Sequence, residues 1–339
     1  LHTRFRYFMV CQASNPVYLT IKPLAVKKTL VLLFVLLSWE AWSQQDPQFS
    51  QYMFNSFYYN PAFAGTDGVT KITGLYRTQW LGYTPTYGDG GAPTTQIISV
   101  HTPVPMLKGG VGGYIVNDQL GPVSNFEAQF SYAYHRNIRD GKLSIGVRAG
   151  IFSQKVNFDL YRATDPNDPL LAGKTGKESQ LQPDVAVGAL FRKDKYYFGV
   201  GLDHLTQPTF DFGMSQKNQL RQHLYVTGGY SYDLNFDVRL QFVALVKSDL
   251  IKTSFDLGAL AYFKDTMWGG LSFRQSEAAI LILGYSLLKD KSLKIGYSLD
   301  YIIKDQQAKQ PTSHELMVAY SLPVNLTGKK VIRTPRFRY

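Results

Sequence analysis

Along most of the chain apolar and polar residues alternate one for one, in stretches of about ten residues. Between 125 and 135 the apolar set is Phe126, Ala128, Phe130, Tyr132 and Tyr134, and its complement is Glu127, Gln129, Ser131, Ala133 and His135. Leu143, Ile145, Val147, Ala149 and Ile151 alternate in the same way with Ser144, Gly146, Arg148 and Gly150. The pattern returns at Val238, Leu240, Phe242, Ala244 and Val246, and again at Leu293, Ile295, Tyr297, Leu299 and Tyr301. Successive side chains of a strand point to opposite faces, so each segment has one greasy face and one polar or tiny face. Past Gly68 no helical period lasts more than a turn or two. The alternation predicts strands at 69–80, 94–102, 109–117, 123–135, 142–154, 183–193, 195–206, 222–232, 237–247, 253–263, 267–275, 278–288, 292–303 and 314–323.

A soluble sandwich gives the same alternation, so three further features decide the class. The segments exceed the five or six residues of ordinary strands and match the length that crosses a bilayer at a tilt. Their complementary face is rich in Gly, Ser, Gln and single charges, as a wet lumen would be. Tyr (23) and Phe (21) are many and gather at strand ends, as at Tyr196-Tyr197-Phe198 and Phe210/Phe212, which predicts an interfacial girdle. The expected fold is all-β: a transmembrane antiparallel up-and-down β-barrel of about 14 strands. Lipid cannot satisfy a bare strand edge, so the first strand (Thr70 to Trp80) should seal against the last (Glu315 to Leu322). With the mature N-terminus periplasmic, the long loops 81–93, 155–182, 207–221 and 304–313 face outward. The returns at 136–141, 194, 233–236, 264–266 and 289–291 are short and face the periplasm.

The first 43 residues have another character. Lys27-Lys28, the apolar run Leu30 to Leu37 and the small residues of Ala41-Trp42-Ser43 spell a secretory signal peptide ending at Ser43, with 1–26 lying outside the mature protein. Its apolar run is far short of the ~20 residues of a spanning helix. The single cysteine, Cys11, lies in that piece, so the mature chain forms no disulfide and offers no thiolate chemistry. The formal charge of +11 falls to +7 once Arg4, Arg6, Lys22, Lys27, Lys28 and Glu40 are removed. The remaining positives are scattered without a stripe, which argues against nucleic acid and for anionic headgroups or an acidic partner.

Signatures of chemistry are thin. His101, His135, His204, His223 and His314 show no metal-ligand spacing. Asp203-His204 resembles the acid–His pairs of outer-membrane hydrolases, but neighbours on a strand face opposite ways, so a structural or lumen-lining role is favoured. No Gly-x-Ser-x-Gly elbow occurs. Gly109-Gly110-Val111-Gly112-Gly113 leads into no helix and is no phosphate cradle; its small residues would let a plug or side chain approach the wall. Asp165-Pro166-Asn167-Asp168-Pro169 reads as a turn of Pro and Asx residues rather than a Ca²⁺ loop. No catalytic residue, metal or cofactor is expected.

Four regions follow: 1–43 upstream residues and signal peptide, 44–68 aromatic segment, 69–324 barrel, and 325–339 a basic tail. Gln44 to Gly65 packs seven aromatics into 22 residues, too dense for a solvated linker. Two roles fit, and they are compatible. Phe49, Tyr52, Phe54, Phe57 and Tyr58 tuck into the lumen mouth as a plug, with Asn60-Pro61 turning the chain. Alternatively Phe49, Tyr52, Phe54, Tyr58, Asn60 and Pro61 form a periplasmic docking epitope together with Arg336, Phe337 and Arg338 of the tail.

The run Asp46-Pro47-Gln48-Phe49-Ser50-Gln51-Tyr52-Met53-Phe54-Asn55, followed by Asn60-Pro61-Ala62-Phe63-Ala64-Gly65, resembles the opening of the mature PorP/SprF family of Bacteroidota. Ser56-Phe57 stands where that family often has a Pro- or Leu-containing pair. The resemblance implies a non-enzymatic outer-membrane component of the type IX secretion system, with both termini periplasmic. It implies other secretion components as partners and a role in secreting or attaching large surface proteins or gliding adhesins. The rival reading is a passive porin or small-solute transporter with Arg77, Glu127, Arg148, Asp184 and Arg239 lining its lumen. A third, a lipid hydrolase, would need a Ser–His or Asp–His pair meeting across strands.

Overall fold

The computed structural model describes residues 46–84, 91–161, 173–213, 217–304 and 309–323. Its strands are β1 (Thr70–Thr78), β2 (Thr94–Val104), β3 (Gly109–Leu120), β4 (Val123–Ile138), β5 (Gly141–Asn157), β6 (Lys177–Arg192) and β7 (Tyr196–Asp203). There follow a two-residue pair, β8 (Thr209–Phe210) and β9 (Asn218–Gln219), then β10 (His223–Asp233), β11 (Val238–Ser248), β12 (Thr253–Phe263) and β13 (Met267–Arg274). The last three are β14 (Ala278–Leu287), β15 (Leu293–Ile302) and β16 (Thr312–Leu322). All but β8 and β9 join one closed antiparallel barrel of fourteen strands in sequence order, with β7 beside β10. The ring closes as expected, β1 on β16, in the register Thr70↔Leu322 to Thr78↔His314.

The sidedness is that of a membrane barrel. On β4, Phe126, Phe130 and Tyr134 are exposed while Asn125, Glu127, Gln129 and Ser131 are buried. On β2, Ile98 and Val100 face outward, and Thr95, Ser99 and His101 face in. So broad an apolar exterior must meet lipid or another apolar surface. No helix among the described residues is long and apolar enough to cross a membrane.

Connections differ at the two ends. One end carries the long loops after β1, β5, β7 and β15; the other carries only short returns. β6 begins at Lys177, six residues before its expected start, and pairs with β5 out to Asn157, so this hairpin projects beyond its neighbours. Phe210 and Phe212 are not girdle residues. They are buried with Phe152, Val156, Phe158 and Leu220 in a small core beneath the long loops, because the β8–β9 pair folds over the projecting hairpin. Tyr196 and Phe198 do face outward. The turn expected at 165–169 and the tail, with Arg336, Phe337 and Arg338, lie outside the described residues.

Candidate functional site

The barrel is plugged by its own N-terminal segment. Short helical turns at Tyr52–Phe54, Ser56–Tyr59 and Pro61–Phe63 compact the segment enough to fill the lumen. Asn60 starts the last turn by accepting the Ala62 amide at 2.8 Å, and Pro61 supplies a φ already suited to it. Phe49, Tyr52, Phe57, Tyr58 and Tyr59 form one buried cluster with inward residues of the wall. Tyr58 packs edge-on against Phe49, Tyr59 and Tyr114, and Phe54 lies on Trp268.

Inward glycines seat the plug. A Cβ at Gly188 would overlap the Asn60 side-chain oxygen, and one at Gly110 would overlap the Ala64 carbonyl. The glycine run on β3 thus serves the close approach its composition predicted. The Asn60 amide nitrogen donates to the carbonyls of Ala189 at 3.0 Å and Val200 at 3.1 Å, lying across the β6–β7 seam.

Charged wall residues hold the plug backbone. The Glu315 carboxylate accepts the amides of Ser50 and Gln51 at 2.7 and 2.8 Å. Ser50 Oγ donates to Asp300 at 2.7 Å and accepts from Arg77 at 2.5 Å. Arg274 donates to the Phe49 carbonyl at 3.1 Å, and Lys71 to the Phe54 carbonyl at 2.8 Å. Arg77 pairs with Asp300 at 2.8 Å, Arg274 with Asp256 at 3.2 Å, and Lys247 with Asp256 at 3.4 Å. In this part of the lumen three buried cations face three buried carboxylates, as buried charge requires. Arg148 anchors the middle of the plug: it donates to the Phe57 carbonyl at 2.6 Å, pairs with Asp203 at 3.1 Å and lies over the Tyr114 ring.

Where the plug leaves the lumen, Gly65 donates to His101, and Asp67 meets Arg192 at 3.1 Å and Lys71 at 3.4 Å. Partial burial pushes the Asp67 carboxyl up, but Lys71 and Arg192 outweigh that and hold it well below the usual range. At the other extreme Asp46 lies level with the long-loop ends of β7 and β10. It meets His204 at 3.0 Å, the Tyr225 hydroxyl at 2.5 Å and His223 at 3.4 Å.

The residues expected in a docking epitope stand in the plug instead. Phe49, Tyr52, Phe54, Tyr58, Asn60 and Pro61 are buried against the wall and present no surface, because the wall's glycines and charges draw the segment inside. Four of the five expected lumen charges, Arg77, Glu127, Arg148 and Asp184, are indeed internal. Arg239 instead pairs with Asp265 at 2.7 Å, partly exposed at the short-turn end. Asp203 and His204 have separate partners, Arg148 and the Asp46/Asp184 pair. The wall residues that grip the plug, Glu315, Asp300 and Arg274, were not picked out from the sequence. An inward charge in an apolar-faced strand was the available signal.

Fold and lumen together define an outer-membrane-type β-barrel closed by an internal plug. The chain belongs to the family of type IX secretion system membrane proteins PorP/SprF, whose pattern matches residues 41–320. None of the curated proteins matches it. Among solved structures, the CymD monoaromatic hydrocarbon channel is similar at a TM-score of 0.50 and 12% identity, over 79% of this chain and 91% of that one. A Pseudomonas aeruginosa FadL homologue aligns at 0.41 and 14% over 77% and 92%, and Acinetobacter baumannii Omp33 at 0.43 and 6% over 75% and 98%. At 12% identity the likeness to the hydrocarbon channel is one of fold. Barrel and family both point to the outer membrane.

Proposed function

We propose that this protein is a non-enzymatic, plugged outer-membrane anchor of type IX secretion. It would hold periplasmic machinery and support the secretion or surface attachment of large proteins such as gliding adhesins. The observation that carries the reading is the filled lumen: a buried aromatic segment gripped by Glu315, Arg77, Arg148 and Arg274 occupies the path that a freely diffusing solute would take. With the long loops outward by the outer-membrane convention, the short-turn end faces the periplasm. That end carries a depression of about 650 Å³ bordered by Arg139, Lys142, Arg192, Lys193 and Lys195 beside Tyr196, in excess over the two carboxylates there, Asp140, which pairs with Lys193 at 3.8 Å, and Asp194. Such a surface suits an acidic periplasmic partner, and the tail with Arg336, Phe337 and Arg338 would extend it. Thr66, at the foot of the plug, borders the same depression, so the plug would shape the docking face without entering it.

Two experiments test the proposal. In planar bilayers the wild type should conduct little, and removal of the plug should open a large steady conductance. High conductance of the intact protein would favour the porin. Affinity purification from native outer membranes should recover periplasmic secretion proteins with wild type, and lose them with Lys193→Glu/Lys195→Glu in a folded barrel. Recovery of the barrel alone from both would remove the anchoring role.

A further inference from the structure

We propose that Asp46, His204 and His223 form a binding site for a divalent transition-metal ion of the zinc class, stapling the start of the plug to the barrel wall. The three side chains come from three places, the plug, the loop after β7 and the first residue of β10, and all are buried. One donor atom of each lies within 4.8 Å of the others. His204 Nε2 is 3.0 Å from Asp46 Oδ1, and His223 Nδ1 is 3.4 Å from Asp46 Oδ2. Two donors each about 2.1 Å from one ion stand roughly 3.0–3.4 Å apart, so both Asp46 contacts already have the spacing of ligands, and the two imidazoles would close on each other from within 4.8 Å. Two imidazoles and a carboxylate are a borderline donor set, suited to zinc and its neighbours rather than to calcium or magnesium.

The surroundings fit a ligand role. His204 turns its other nitrogen, Nδ1, to Asp184 at 2.9 Å, the carboxylate support that orients metal-bound histidines. Asp184 is in turn held by Gln129 at 3.1 Å. The Tyr225 hydroxyl fixes Asp46 through Oδ2. His223 Nδ1, the nitrogen that faces Asp46, also lies 3.1 Å from the Arg221 carbonyl, a contact that ligation at this nitrogen would replace.

Charge gives a separate argument. Asp118, Glu127, Asp184 and Asp203 are buried in the same part of the lumen and electrostatically linked with Asp46 or with one another. Arg148 is the permanent cation paired among them, on Asp203. The balanced trios around Ser50 show how this barrel otherwise treats buried charge. A dication at Asp46 would join Arg148 in offsetting the charge of this group of carboxylates.

The test uses the mature barrel without a histidine tag, stripped with chelator, loaded with Zn²⁺ and dialysed into metal-free buffer. Its folding is verified by heat-modifiable gel mobility. About one zinc per chain should remain on wild type and be lost from Asp46→Asn and from His223→Gln. Zinc should raise the wild-type melting temperature and slow proteolysis of the plug, with neither effect in the variants. Co²⁺ in place of zinc should give visible ligand-field absorption that vanishes in the same variants. His223→Gln, at the start of a strand, keeps the test usable if Asp46→Asn does not fold. A folded wild type that retains no Zn²⁺ or Co²⁺ overturns the site and leaves the cluster an ion-pair clamp. Equal retention by wild type and His223→Gln overturns it as well.

Discussion

Glu315 Oε2 accepts the backbone N–H of Ser50 at 2.7 Å, although the two residues stand 265 apart in the chain. With Oε1 on the Gln51 amide, one wall carboxylate satisfies two successive donors of a plug that has few backbone partners of its own. Glu315 also sits 3.4 Å from Arg77. Glu315→Ala therefore strands two amides and unbalances a buried guanidinium. The expected cost is on the order of 3 kcal/mol. It is read as a lower melting temperature with the barrel still inserted, and as channel openings absent from wild type. Unchanged melting and conductance would show that the carboxylate does not hold the plug.

Gly188 and Asn60 make a steric prediction. Gly188→Val pushes a branched side chain into the space of the Asn60 amide and breaks its bonds to Ala189 and Val200. The plug should become accessible to protease while the barrel keeps its heat-modifiable mobility. Gly74→Ala is the control, because a Cβ there meets nothing nearer than 3.9 Å. Equal protease resistance in both variants would remove the seat from the argument.

The barrel was largely legible because its alternation is imposed by two solvents at once, lipid outside and a polar interior within. Phe126/Glu127 and Ile145/Arg148 announce their faces without any knowledge of neighbours. The plug was legible as an aromatic excess, but its depth was not: that depends on which wall positions are glycine and which are charged across many strands. His204 and His223 show the same limit. They stand 19 positions apart in the chain, yet Asp203 pairs with His223 in the β7–β10 register, so the two rings flank one loop end. Strand ends bordering a single loop were the signal available. Phe210 and Phe212 misled because strand-end aromatics suit a girdle and a loop core equally well.

Asp67 predicts a pH dependence at the plug's exit. Its carboxyl is held below the ordinary range by Lys71 and Arg192, so its contribution is full above about pH 4, the unfolded value. It is lost as pH falls further, when protonation weakens the contacts at 3.1 and 3.4 Å. Thermal unfolding of wild type between pH 6 and 3 should show a loss of stability that is smaller in Asp67→Asn. Parallel curves for the two proteins would assign the acid sensitivity elsewhere.

Arg148 separates charge from shape. Its guanidinium reaches the Phe57 carbonyl, Asp203 and the Tyr114 hydroxyl at 2.6, 3.1 and 3.2 Å while lying 4.7 Å from the Tyr114 ring centre. A lysine keeps the charge but cannot span these partners or stack flat on the ring. Arg148→Lys should cost about 2 kcal/mol through the lost hydrogen bonds to a charged donor. Arg148→Met, of similar length, should cost more, because it leaves Asp203 buried without its cation. The order is checked by melting temperatures of the three proteins in one detergent. If Arg148→Lys melts with wild type, charge alone holds the Phe57 turn, and the planar fork adds nothing.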